Sequence, residues 1–136
     1  MAKVLYSDPW VTVTLDEARA LVRYDRTDVA YPSGADMERS YAAVGRAFNL
    51  LPPSSRLLLD MRRAPPRNDD AFEAKARPAL EQVLKRFTRN ATLVRTAVGK
   101  LQSMRIASER GAKPHVFDDE QAALAYLMAS TGSPTT

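Results

Sequence analysis

The stretch Arg56-Leu57-Leu58-Leu59-Asp60 lies between Pro52-Pro53-Ser54-Ser55 and Met61-Arg62-Arg63-Ala64-Pro65-Pro66. Side chains alternate between the two sides of a strand, so three successive leucines do not suit a strand with one wet face. The run is also too short for a buried helix, because prolines close in on both sides. It predicts a short central strand buried on both faces, as parallel sheets require.

Working outward from this strand, the N-terminal side reads as a hairpin. Val11, Val13 and Leu15 alternate with Trp10, Thr12 and Thr14, and Ala20, Val22 and Tyr24 alternate with Leu21, Arg23 and Asp25. Two period-2 segments separated by residues 16–19 predict an antiparallel pair. A further short strand is expected over residues 4–7, ended by Pro9. Between the hairpin and the leucine run, Met37, Tyr41, Val44, Phe48 and Leu51 recur at helical spacing. Ser33 is placed to cap that helix, with Asp36 at its positive end and Pro52-Pro53 as its stop.

On the C-terminal side, Phe72, Ala76, Leu80, Val83, Leu84 and Phe87 trace one face of a helix over residues 69–87, with Pro78 inside it. Residues 91–98 read as a strand, 100–110 as a helix ended by Gly111, and 115–117 as a short last strand. A final helix is expected from Asp118, with Gln121 placed for a capping box and Leu124, Leu127 and Met128 facing inward. The order is β, β, β, α, β, α, β, α, β, α. It predicts an α/β fold with a small, mostly parallel sheet, an antiparallel N-terminal hairpin and about four flanking helices, on both faces or on one. Residues 1–130 are expected to form a single domain and 131–136 a frayed tail, with no internal repeat.

The composition narrows the chemistry. The chain has 136 residues, no cysteine and one histidine, His115. Disulfides, thiolate metal sites and cysteine nucleophiles drop out, and His115 alone supports no multi-histidine metal site. No cofactor or metal is expected. His115 sits in strand context beside Val116 and Phe117 and reads as a partly buried structural imidazole. No Gly-x-Ser-x-Gly, HExxH or GxGxxG pattern occurs. The N-terminus lacks the apolar segment of a secretory signal, and no apolar run approaches the ~20 residues of a membrane span. A cytoplasmic location is expected.

The net charge of +4 is local. Residues 1–55 carry six basic and seven acidic side chains, 56–113 carry fourteen and six, and 114–136 carry none and three, so the segments contribute −1, +8 and −3. The middle excess suits an acidic protein surface, a phosphate or an anionic headgroup. Glu73 with Arg77 and Glu81 with Lys85 equally suit a solvated helix face. The surplus lacks interleaved aromatics, and no nucleic-acid-binding signature accompanies it, so specific nucleic-acid binding is not expected.

Ligands of α/β sheets gather at the carboxyl ends of parallel strands. Two such ends stand out. The loop after Asp60 carries Arg62, Arg63 and Arg67 and leads to Asp69, Asp70 and Lys75. These six are the candidate interaction surface. Gly99-Lys100 precedes another helix and is a weak candidate anion site, without the glycine-rich cradle of a P-loop. Asp60 is a conceivable catalytic carboxylate, although capping its own loop or pairing with Arg62 or Arg63 is the ordinary role. Trp10, Tyr24, Tyr41, Phe48 and Phe72 are the residues that would line an apolar pocket if they are not simply core.

The strand ending Leu57-Leu58-Leu59-Asp60 with its charged loop, the strand Ala91-Thr92-Leu93-Val94-Arg95-Thr96-Ala97-Val98, and the ending Val116-Phe117-Asp118-Asp119-Glu120-Gln121-Ala122-Ala123-Leu124-Ala125-Tyr126-Leu127 together resemble the STAS fold. The resemblance is to its divergent branch related to bacterial anti-sigma-factor antagonists, over roughly residues 3–128. It implies a non-enzymatic module for protein interaction or ligand sensing. Phosphorylation-switched antagonists carry a Ser or Thr at the start of the helix after the Leu-Leu-Asp-type strand. Here no Ser or Thr lies between Ser55 and Thr88, and Asp69 with Asp70 stands at the equivalent place. The reading is therefore a regulatory interaction module without the phosphoacceptor, whose partner is a protein or a second copy. The alternative is a domain of the same fold holding a small hydrophobic ligand or lipid.

Overall fold

The structure, a computed structural model, describes residues 2–51, 55–65, 85–96 and 115–129. Six strands form one sheet in chain order: β1 (Ala2–Ser7), β2 (Val11–Asp16), β3 (Leu21–Arg26), β4 (Arg56–Asp60), β5 (Arg89–Leu93) and β6 (Val116–Phe117). Strands β1 to β3 pair antiparallel, and β3 to β6 pair parallel. Two helices are described, α1 (Gly34–Phe48) between β3 and β4 and α2 (Glu120–Met128) after β6. The mixed sheet with its antiparallel hairpin is as expected. Of the four expected helices, those over 69–87 and 100–110 lie outside the described residues, apart from residues 85–87, which are not helical.

The leucine run builds two cores. Leu57 and Leu59 project to one face, where they meet Val11, Val13, Val22 and Tyr24 of the hairpin and Val44 and Phe48 of α1. Phe87 closes this cluster edge-on to Phe48, ring centroids 4.9 Å apart. Leu58 projects to the opposite face with Leu21, Ala91 and Leu93, covered by Ala123 and Leu127 of α2. Each of these buried leucines contributes about 1.5–3 kcal/mol.

Several boundaries shift for local reasons. Ala20, expected to open β3, has φ +50° and closes the hairpin turn through its N–H to the Glu17 carbonyl (3.3 Å), so β3 begins at Leu21. Strand β1 runs from Ala2 instead of residue 4, with a bulge at Leu5. Ser33 caps α1 as expected, its hydroxyl accepting from the Asp36 N–H. The helix ends at Phe48, ahead of the prolines, and Leu51 is buried from a turn beyond it.

Strand β5 occupies Arg89–Leu93, starting before the expected residue 91; residues 94–96 are not part of it, and residues 97 and 98 lie outside the described residues. At its end Met61 donates to the Leu93 carbonyl (2.8 Å) and Val94 to that of Phe117 (2.8 Å). The cap of α2 is Asp119, not Asp118, and its carboxylate accepts from the Gln121 backbone N–H. That one-residue shift rotates the buried stripe to Ala123 and Leu127. Leu124 packs partly against the core, and Met128, expected inside, is 36% exposed.

Candidate functional site

The parallel register places Asp25 beside Asp60 and Arg23 beside Leu58, all on the face that α2 covers. Asp60 ends β4 and is 8% exposed. Its Oδ1 accepts from the Arg62 backbone N–H (3.1 Å) and Nε (3.0 Å), and its Oδ2 accepts from Arg62 Nη2 (2.7 Å) and Arg23 Nη2 (3.2 Å). Glu120, the first residue of α2, accepts from the same two guanidiniums, Arg62 Nη2 at 2.8 Å and Arg23 Nη2 at 3.3 Å. Arg23 Nη2 also donates to Asp25 at 3.3 Å. The turn after β4, the strand β3 and the start of α2 are thereby joined by charge-assisted hydrogen bonds, the stronger kind. Glu120 also lies at the positive end of the α2 dipole.

Two guanidiniums face three carboxylates, a local balance of +2 − 3 = −1. The aspartates respond in opposite directions. Burial pushes the Asp60 carboxyl up, but the Arg62 bonds and the Arg23 charge outweigh it and hold Asp60 below the ordinary 3.8. Burial also pushes Asp25 up, Arg23 only partly offsets it, and the neighbouring Asp60 adds to the rise. Asp60 is thus an acceptor whose ionised form the arginines favour and which shapes its own turn, whereas the ionised form of Asp25 is disfavoured.

Of the expected interaction surface, Arg62 turns inward onto Asp60 and Glu120, while Arg63 at the next position is exposed. Arg67, Asp69, Asp70 and Lys75 lie outside the described residues, as do Gly99, Lys100 and Phe72. Tyr24 and Phe48 belong to the packed core, and Tyr41 packs against it. Trp10 stands at its edge, 5.3 Å from the Tyr31 ring, and donates Nε1–H to the Ala30 carbonyl (3.2 Å). His115 precedes β6, partly buried and stacked on Tyr126 at 4.6 Å. Pairing of Asp60 with Arg62 was among the sequence expectations; the contributions of Arg23, Asp25 and Glu120 were not. Their signal was the alternation itself, which sets Arg23 and Asp25 opposite the inward Val22 and Tyr24.

The other face of the same sheet edge carries phenols. Tyr24 of β3, Tyr31 of the following loop and Tyr41 of α1 cluster there, with Arg26 stacked over Tyr31 at 4.6 Å. Burial is the main reason that Tyr24 is raised and that Tyr41 is pushed up to about 12. Nearby, Asp8 accepts from Tyr6 Oη (2.7 Å), Ser40 Oγ (2.8 Å) and the backbone N–H groups of Trp10 and Val11. Among the described residues no group of three or more His, Cys, Asp or Glu is arranged to hold a metal, and no helix is long and apolar enough to cross a membrane. Comparison of the chain with protein-family models, curated proteins and solved structures found no match.

Proposed function

We propose that the chain is a non-catalytic regulatory interaction module of STAS-like type that docks a protein partner at the carboxyl edge of its sheet. The observation that supports this is the use made of Asp60. A carboxylate at a strand end could serve as an acid or base, but this one is spent on three hydrogen bonds that pin the backbone and side chain of Arg62 and a fourth from Arg23. The result is a preshaped turn with Arg63 projecting into solvent. Ordering this turn in advance removes part of the entropy cost that a flexible loop would meet on binding. The +8 surplus of residues 56–113 gives the partner's docking face an acidic character.

Affinity capture with the full chain, comparing the natural sequence with Arg63→Glu, tests the reading. Arg63 is exposed and makes no ion pair with a described residue, so the variant should keep its stability within about 0.5 kcal/mol. A partner held by the natural chain should be lost or weakened at least about tenfold, as expected when a contacting charge is reversed. Undiminished capture by a well-folded variant would remove Arg63 from the interface.

A further inference from the structure

At the amino edge of the sheet, where the parallel strands begin, four segments of the chain meet. Arg56, the first residue of β4, donates its backbone N–H to the Ala20 carbonyl of the hairpin turn (2.9 Å) and Nη1–H to that of Arg19 (3.0 Å). Arg89, the first residue of β5, is its direct neighbour in the parallel register and donates Nη1–H to the Tyr126 carbonyl in the last turn of α2 (2.8 Å). Arg86, just before β5, donates Nη1–H to Asn49 Oδ1 at the end of α1 (3.2 Å).

The charge at this edge is one-sided. Arg19, Arg56, Lys85, Arg86 and Arg89 stand against Asp16 and Glu17, a balance of +5 − 2 = +3. Asp16 is taken by Arg19 at 2.7 Å, and none of the other four basic residues forms an ion pair with a described carboxylate. Like charges on neighbouring strands repel, so setting Arg56 beside Arg89 carries a cost that an external anionic surface would relieve. At the opposite edge the head of α2 supplies Asp118, Asp119 and Glu120. Facing an anionic surface, such a molecule turns its amino edge inward.

The same edge shows apolar side chains to water. Leu50, next to Asn49, is 87% exposed, the most of any large hydrophobic residue described. Met128 ends α2 on the other face of the sheet and is 36% exposed. A basic row flanked by protruding apolar side chains suits a bilayer, whose headgroups take the cations while its acyl boundary takes the apolar groups. A nucleic acid or an acidic protein would match the cations and offer nothing to Leu50.

We infer that the amino edge of the sheet is a docking surface for an anionic phospholipid bilayer, with Arg86 and its basic neighbours on the headgroups and Leu50 inserted. No helix of the described residues is long and apolar enough to cross a membrane, so this contact is peripheral. Each basic residue held near an anionic leaflet strengthens binding about fivefold, and burial of a leucine side chain about tenfold. Docked in this way, the chain directs its carboxyl edge away from the lipid.

The experiment is sedimentation of the full chain with vesicles of phosphatidylcholine alone and of phosphatidylcholine mixed equally with phosphatidylserine. Binding to the mixed vesicles, absent with phosphatidylcholine alone and weakened by added sodium chloride, is expected. Arg86→Glu should lower the affinity about twentyfold, since it changes two units of charge at about fivefold each. Arg95→Glu makes the same change in net charge at an exposed position beyond the carboxyl end of β5 and should bind as the natural chain does. Leu50→Ser should weaken binding about tenfold with no change of charge. Circular dichroism shows that each variant is folded. No binding to the mixed vesicles, equal losses in Arg86→Glu and Arg95→Glu, or undiminished binding by Leu50→Ser would each overturn the bilayer surface, the last in favour of a polyanion such as a nucleic acid.

Discussion

At the carboxyl edge of this sheet arginines are drawn into the protein on both faces, and the two faces treat them in opposite ways. Beneath α2, Arg23 and Arg62 are surrounded by Asp25, Asp60 and Glu120, so that negative charge is in excess by one. Beneath α1, Arg26 lies among phenols and backbone carbonyls with no carboxylate paired to it among the described residues. The first arrangement is complete as a structural joint. The second is held by two backbone carbonyls and an aromatic face. One strand supplies both, because odd positions 23 and 25 face α2 and even positions 24 and 26 face α1. The contrast separates an ion-paired joint from a guanidinium held by neutral groups, and it can be probed from either side.

The largest effect should come from breaking the joint. Asp60→Ala removes the acceptor for two arginines at once and releases the turn after β4 as well as its tie to α2. Loss of one partner of a buried pair costs about 3–5 kcal/mol, but Arg62 is partly exposed and rehydrates, so about 2 kcal/mol is expected here. The midpoint of urea unfolding measures it. Asp60→Asn should recover part of the loss, since it keeps an acceptor for the Arg62 backbone N–H. If the alanine variant matched the natural chain, the cluster would be a surface ornament, not a joint.

Next in size is the response of the phenol face to alkali. Burial, followed by the hydrogen bond to Asp8 and its charge, pushes Tyr6 up to about 12. Burial does the same for Tyr41 and raises Tyr24 further. A folded-state value above the unfolded one means that the folded chain holds its phenolic protons more tightly. The stability so gained is full below about pH 10 and is lost as the pH rises toward 12. Phenolate absorbance should therefore lag behind that of the unfolded chain across this range and catch up in step with unfolding. Ionisation of all the tyrosines at their ordinary value, with the fold retained, would contradict the burial of this face.

How much of this contrast the sequence disclosed depends on which link of the chain is asked. The leucine run, the period-2 hairpin and the Ser33 cap are local signals, and all three appear where pattern alone placed them. Ala20 and Asp118 were off by one residue because turns and caps are chosen by geometry that neighbouring residues of similar character compete for. Strand β5 starts before the expected residue 91 and has ended by Val94, because a strand's bounds are set by the strands it pairs with, and those are not visible in its own sequence. The site follows the same division. Asp60 and Arg62 are two residues apart and were legible as a pair. Arg23 and Glu120 are 97 residues apart, and only the parallel register of β3 and β4 with the return of α2 brings the guanidinium to that carboxylate. Arg26 was hidden for a different reason: it is buried against backbone carbonyls and the Tyr31 ring, partners that carry no charge signal in the sequence.

The smallest effect is also the one that tests the charge excess most directly. Asp25 has its folded-state value raised above 3.8, so the folded chain binds the proton more tightly than the unfolded chain does. Stability attributable to this group must then rise as the pH falls through the folded-state value toward 3.8, and at neutral pH the ionised side chain is a net cost. Asp60 has the reverse sign: its contribution is full above 3.8 and is lost as the pH falls through its lower folded-state value. Between the two windows the natural chain should show a shallow rise in stability on mild acidification before the acid loss sets in. Asp25→Asn should remove that rise and stabilise the chain at neutral pH. The gain is limited to a few tenths of a kcal/mol, because Asp25 is partly solvated and also gives up an ionic bond from Arg23. Urea midpoints of both chains across the acid range resolve the difference as a change of slope. A variant less stable than the natural chain at neutral pH would mean that Arg23 needs Asp25 more than Asp60 repels it, and the cluster would then be balanced, not overfilled.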